Sequence, residues 1–307
     1  RRVLFRSAVG SRRPEAARAF AEEHAGPHGV PRAHGSYEEL VADPEVDVVY
    51  IASPHSLHLE HARMALEAGK HVLCEKALTL TAADAEEMVR LAGMHDRFLM
   101  EAMWTACHPV IRAVRDGLAA GRFGTPRHLR AELGFRVGDG AAQRMLDPAL
   151  GASALLDMGI YPLTLAHLLL GPAEEASAIA DLSEQGIDLD VAVVSRHPGG
   201  ALATSSASMT AWSDRSGQLT TDRGRVVLHG QMHHPTHAEF VPHESDPAAA
   251  DGPVRIDGEE PVLGRGYTHE LAEVGRCLRA GLRESPLVPH EQTLAIMRLM
   301  DRVREQI

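Results

Sequence analysis

The run Val46-Asp47-Val48-Val49-Tyr50-Ile51-Ala52-Ser53-Pro54, then a helical pattern from His55 to Ala68, then His71-Val72-Leu73-Cys74-Glu75-Lys76, decides the architecture of the first third of the chain. Val46 to Ala52 is nearly continuous in apolar and β-branched residues, as expected of a strand buried on both faces. Ser53-Pro54 breaks it. Leu59, Ala62, Ala65 and Leu66 recur at three- and four-residue steps, and Gly69 ends that helix. A second apolar strand follows at once. Strand, helix, strand in this order is a parallel βαβ unit with a right-handed crossover.

The same alternation extends outward. A strand is expected from Leu4 to Gly10, a proline-initiated helix from Pro14 to His24, and an extended piece from Arg32 to His34 leading into Tyr37-Glu38-Glu39-Leu40-Val41. Thr81 caps a helix running to about Gly93, and Phe98-Leu99-Met100 reads as a further strand. After Trp104 the texture changes. Leu129, Ala131, Leu133 and Phe135 alternate with polar residues. Strand signals recur at Ala176 to Leu182, Leu189 to Ser195, Ala201 to Met209, Gln218 to Thr221, Arg225 to His229 and Val254 to Ile256. Their pairing across turn residues predicts a mostly antiparallel sheet. Pro242 to Pro253 reads as a surface loop, and helices are expected over Tyr267 to Ala280 and Glu291 to Ile307. The expected class is α/β, divided at residues 1–103 and 104–307.

The bulk numbers narrow the function. A chain of 307 residues with 44% hydrophobic and 24% charged residues belongs with ordinary globular proteins. A net charge of -11 argues against nucleic-acid binding, which needs a basic face. No apolar run is read as membrane-spanning. Cys74, Cys107 and Cys277 are odd in number and lack metal spacing, which points to a reducing, cytoplasmic setting.

Two residues stand out for chemistry. Only two lysines occur among 31 basic side chains, Lys70 and Lys76. Lys70 closes a helix, where a cation suits the dipole. Lys76 follows Glu75 at the carboxyl end of an apolar strand, where open parallel sheets bind ligands. An ordinary surface lysine is the alternative. The second segment is Gly151-Ala152-Ser153-Ala154-Leu155-Leu156-Asp157-Met158-Gly159-Ile160-Tyr161-Pro162. On a continuous helix, Asp157 and Tyr161 share a face. Pro162 disfavours helical geometry at Tyr161. The alternative is a buried helix with a cap-like acid and a core phenol.

Taken together, the runs Ser36 to Leu40, Val46 to His58, His71 to Lys76, Met100 to Trp104 and Leu155 to Pro162 resemble the Gfo/Idh/MocA oxidoreductase family, in its dimeric dihydrodiol dehydrogenase and NADP-dependent D-xylose 1-dehydrogenase branch. The resemblance implies a Rossmann-type parallel sheet followed by a C-terminal α/β domain whose open sheet mediates dimerisation. It makes Lys76, Tyr161 and Asp157 the catalytic set, with Tyr161 as acid/base and Asp157 orienting a substrate hydroxyl. A neighbouring ammonium is then expected to lower the tyrosine's pKa from its ordinary value of about 10. Ala52, Ser53, Pro54, His55, His58, Glu75, Lys76 and Trp104 are implied at the cofactor. Ser11-Arg12 ends the second strand of that fold; an arginine there suits the 2′-phosphate of NADP, whereas NAD would want an acid.

Three departures from the family pattern bear on this reading. Glu75-Lys76-Ala77 stands where relatives carry Glu-Lys-Pro. Thr105-Ala106-Cys107-His108-Pro109 follows Trp104 where an Arg and an aromatic are usual, in a segment expected to line the pocket. No Gly-x-Gly-x-x-Gly follows a first strand, and Gly138-Asp139-Gly140 reads as a loop. The first strand, glycine turn and first helix of the fold are therefore expected upstream of Arg1, and the chain as it stands is expected to bind dinucleotide poorly, the extended protein well.

A small-molecule sugar or diol substrate and a homodimer or higher homo-oligomer complete the expectation. A noncatalytic dinucleotide-binding regulator is the alternative. A metal-dependent hydrolase using some of the 19 histidines is a third class, but His55, His58 and His61, or His233, His234 and His237, lack familiar ligand spacing.

Overall fold

The computed structural model describes residues 7–27, 29–138 and 143–307. The expected strand from Leu4 and the expected Gly138-Asp139-Gly140 loop lie partly outside them. Within the described residues the first strand is β1 (Ala8–Gly10), followed by α1 (Pro14–Glu23), β2 (Arg32–His34), α2 (Tyr37–Ala42), β3 (Val48–Ile51), α3 (His58–Glu67), β4 (His71–Cys74), α4 (Ala82–Met94) and β5 (Leu99–Glu101). Ser36 and Thr81 cap α2 and α4 with their hydroxyls. All pairings here are parallel, in two separate sheets: β1 with β2, and β3-β4-β5. Helices between parallel strands are the crossovers the sequence pattern demands.

Between β1 and β3 lies a groove of about 640 Å³, lined among others by Val9, Gly10, Tyr50, Ala52 and Leu271. Among the described residues no strand occupies it. This corrects the reading of Val46 to Ala52 as buried on both faces. Tyr50 is 49% exposed, because its side of β3 faces the groove.

The second half begins with α5 (Trp104–Cys107) and α6 (Pro109–Ala119). An eight-stranded sheet follows, built from β6 (Pro126–Gly134), β7 (Glu175–Leu182), β8 (Asp188–Arg196), β9 (Leu202–Ser208), β10 (Gly217–Thr221), β11 (Gly224–Gln231), β12 (His234–Pro242) and β13 (Val254–Ile256). Its order is β13-β12-β11-β10-β6-β9-β8-β7, antiparallel throughout except where β6 runs parallel to β9. Helices α6 and α7 (Ile160–Leu170) cover one face. Strand β12 and helix α6 are absent from the sequence reading. In β12 the buried positions are Pro235, Ala238 and Phe240, an alternation disguised by proline and two histidines. The stretch read as a loop after Pro242 contains a 3₁₀ turn at Pro247–Asp251.

The segment Pro148–Leu170 is long and apolar enough to span a membrane, which corrects the reading that no run reaches that length. Yet 89% of its most apolar window is buried inside the protein, so it is a core element. Helices α8 (Tyr267–Arg279) and α9 (His290–Arg304) end the chain and return to the first half. Helix α9 packs on α4, its Thr293 hydroxyl donates to Glu101 at 2.9 Å, and its Asp301 accepts the Ala82 N–H at 2.8 Å.

Candidate active site

Lys76 leaves the carboxyl end of β4 and points across the interface between the halves. Its ammonium donates to the backbone carbonyl of Asp157 at 2.8 Å and lies 5.0 Å from the centroid of the Tyr161 ring. The Lys76–Ala77 peptide is cis. Burial lowers the lysine's pKa, while Asp157 and Glu75 act to raise it.

Asp157 sits in a widened π turn, Leu155–Gly159, that runs directly into α7. Single π turns recur at functional sites. Pro162 has no N–H to give to the preceding turn, so a backbone carbonyl there is left for another donor. The continuous helix expected from the sequence is thus present but widened. Asp157 is 6% exposed. Its Oδ1 takes both terminal nitrogens of Arg144 at 3.3 Å and lies 3.9 Å from His55 Nε2, while Oδ2 has no protein partner.

Tyr161, in the first turn of α7, is buried among rings. Its hydroxyl accepts from Trp104 Nε1 at 2.9 Å. Trp104 in turn stacks on Tyr267 at 4.4 Å and on His234 at 5.6 Å. The expectation of a lowered tyrosine pKa is corrected here. Burial holds the phenol well above its ordinary value, and only the Trp104 hydrogen bond opposes this among neighbouring groups. The Lys76 ammonium donates to the Asp157 carbonyl and does not offset the desolvation of the phenol.

The residues expected at a cofactor divide into two groups. His55 and His58 stand behind the Lys76 loop. His55 places Nδ1 3.2 Å from the Gly151 carbonyl oxygen and Nε2 3.1 Å from that of Lys76. His58, fully buried, places its nitrogens against the carbonyls of Ala77, Leu78 and Ser53. Burial pushes His55 down to about 4 and lowers His58 as well. With their ring nitrogens committed to backbone, both support the loop.

The other group lies toward open space. Ser11 and Arg12 follow β1, with Ser11 Oγ accepting the Arg13 N–H at 3.2 Å and Arg12 exposed. Ala52 and Ser53 line the groove beside β3, and Pro54 is half-buried next to them. Ser53 Oγ is 2.9 Å from His61 Nδ1. Glu75 accepts the Tyr50 hydroxyl and the Lys76 N–H.

Three groups escape the sequence reading. Arg144 carries no periodic signal. Glu101, 3% exposed, holds the loop beyond Lys76 by accepting the Leu78 N–H at 3.0 Å, and burial pushes its pKa up to about 7. An acid closing the apolar Phe98 to Met100 run is the signal that could have found it. Thr105, in the segment expected to line the pocket, is instead buried behind Trp104 and donates to the His233 carbonyl at 2.9 Å. Among the described residues no three His, Cys, Asp or Glu side chains gather to hold a metal ion.

A buried lysine at the end of a parallel strand thus meets the backbone of Asp157 and the ring of Tyr161 from the other half. The profile of the oxidoreductase family with an NAD-binding Rossmann fold matches residues 6–103, and that of the GFO/IDH/MocA C-terminal domain matches residues 111–232. The chain belongs to the Gfo/Idh/MocA family. It is 34% identical over 298 residues to a D-xylose 1-dehydrogenase (NADP(+)) of Hypocrea jecorina, covering 90% of this chain and 76% of that one. It is 35% identical over 289 residues to a trans-1,2-dihydrobenzene-1,2-diol dehydrogenase of Oryctolagus cuniculus, covering 94% and 87%. The fold also matches an aldose-aldose oxidoreductase from Caulobacter crescentus, solved with glycerol, at a TM-score of 0.83 and 22% identity over 98% of this chain and 88% of that one.

Proposed function

We propose that this chain is an NADP-dependent dehydrogenase moving hydride between the nicotinamide and a carbon bearing a hydroxyl of a sugar or diol. The observation that carries the proposal is the approach of Lys76 to within 5.0 Å of the Tyr161 ring, one residue from each half. The relatives' names, a xylose dehydrogenase and a dihydrodiol dehydrogenase, support the substrate class.

The residues present suit a dinucleotide. Arg12, Ser53 and Lys76 follow the carboxyl ends of β1, β3 and β4 in two separate parallel sheets, and Asp157 Oδ2 is a buried acceptor without a protein donor. The bound nicotinamide supplies the hydride chemistry. Tyr161, kept protonated by burial, gives its proton to a carbonyl oxygen in reduction; in oxidation its phenolate form takes the proton of the hydroxyl. Lys76 supplies positive charge where that oxygen turns anionic. Asp157, steadied by Arg144, accepts a substrate hydroxyl.

Reduced-nicotinamide absorbance during incubation with NADP and a panel of aldoses and diols tests the proposal. Dinucleotide binding without turnover of any of them supports the regulatory alternative. At the cofactor end, Arg12→Ala is expected to weaken NADP by about 10–100-fold, the worth of a charged hydrogen bond, with little effect on NAD. Equal losses for both, measured as dissociation constants, count against a 2′-phosphate contact.

We also propose a homodimer through the open face of the eight-stranded sheet. Ile179 is 79% exposed, Val194 51% and Leu202 39% there, on three adjacent strands. Such an apolar patch fits an interface between copies. Val194→Arg is expected to halve the mass seen by light scattering, and an unchanged mass excludes this face. The three buried free thiols support a cytoplasmic setting.

A further inference from the structure

Among the buried polar atoms that lack a partner in the protein is His233 Nδ1, on a ring packed against Tyr161. Buried polar groups are nearly always paired, so an unpartnered imidazole nitrogen on a ring against the candidate acid/base points to a group that arrives with the substrate. His233 is only 8% exposed. Its ring centroid lies 5.1 Å from that of Tyr161 and 5.4 Å from that of Trp104.

The position of His233 is tightly set. It occupies the two-residue turn between β11 and β12, whose register closes at Gln231 opposite His234. Thr105 holds its carbonyl at 2.9 Å, and the preceding Met232 N–H donates to Arg215 at 2.8 Å. Burial, with His234, Arg215, Lys76 and His108 around it, pushes the imidazole down to about 3. The ring is therefore neutral and offers one donor and one acceptor nitrogen, the complement of a hydroxyl.

We propose that His233 is a specificity-determining residue whose imidazole hydrogen-bonds a second substrate hydroxyl, on the carbon next to the one oxidised, so that the site selects vicinal diols and 2-hydroxylated sugars over their deoxy or mono-alcohol analogues. The inference rests on the dehydrogenase reading above. A site that pairs a substrate hydroxyl rejects the analogue without it, because its own polar groups are then left unpaired.

The test is kcat/KM, with NADP, for two matched pairs: trans-cyclohexane-1,2-diol against cyclohexanol, and D-xylose against 2-deoxy-D-xylose. The wild-type protein is expected to favour the hydroxylated member of a pair it uses by about 10–100-fold. In His233→Phe that ratio collapses toward unity through loss on the hydroxylated member, while NADP affinity holds. His233→Gln, which still offers a donor and an acceptor, keeps most of the preference. An intact ratio in His233→Phe overturns the proposal. So does the absence of preference in the wild-type protein, a measurement independent of whether the variants fold. Wild-type protein that binds NADP yet turns over neither pair nor any other sugar or diol overturns the dehydrogenase reading itself.

Discussion

Tyr161→Phe lowers kcat by about 10²–10⁴-fold, the usual worth of a positioned proton donor or acceptor, and leaves NADP affinity unchanged. Phenylalanine keeps the ring beside Lys76 and Trp104 and removes only the oxygen that accepts from Trp104 Nε1. The orphaned indole N–H costs about 1–3 kcal/mol of stability, visible as a modest fall in Tm. The pH profile separates the acid/base role from a structural one. Burial raises the phenol above its ordinary pKa, so it stays protonated through neutral pH. Oxidation, which needs the phenolate, therefore climbs as pH rises into the alkaline range. Reduction, which needs the phenol, stays flat and falls only there. In Tyr161→Phe both dependences flatten. A variant with wild-type kcat, or one retaining the alkaline rise, would falsify the assignment.

Lys76→Met is the second large effect. The thioether matches the stem in length but carries no charge, and the Asp157 carbonyl loses its 2.8 Å donor. If the ammonium stabilises charge developing on the substrate oxygen, kcat/KM falls by about 10²–10³-fold, as for other preorganised electrostatic donors. Burial lowers the lysine's own pKa, but its loss leaves the Asp157 carbonyl without a donor and buried Asp157 without a nearby cation, so a modest fall in Tm is expected. Lys76→Arg does not restore the rate, since a planar fork cannot take the place of a compact ammonium at a single carbonyl. An activity loss that tracks unfolding, with wild-type kcat/KM per folded molecule, would reduce Lys76 to a structural tie.

These effects fall on residues that were visible in the sequence because their signals are local. The βαβ alternation announced the parallel strands, an isolated lysine after an apolar strand announced itself against a background of arginine, and the i, i+4 spacing of Asp157 and Tyr161 survives even the π turn. What escaped is contributed by distant chain. Arg144 reaches Asp157 from an irregular segment, so no period betrays it. His233 meets Trp104 only because β11 and β12 form a hairpin, and β12 was hidden by Pro235 and its histidines. The misjudged tyrosine pKa has the same origin. Lys76 was expected to govern the phenol, but desolvation depends on how many side chains enclose a group, which the sequence does not count. His55 and His58 were located next to the right loop, but their bonds to its backbone were not visible, because imidazoles that bond backbone and imidazoles that meet ligands look alike in one dimension.

Helices α8 and α9 lie after the eight-stranded sheet in sequence but support the floor under Lys76, through Thr293 to Glu101 to the Leu78 N–H. The Leu99 N–H of β5 likewise bonds the carbonyl of Arg283. The polypeptide is therefore not modular at the junction near residue 103. A chimera that grafts a foreign nucleotide-binding cassette there would part β5 from its buttress, whereas one that exchanges residues 267–304 along with the cassette would carry the whole foundation of the lysine loop with it.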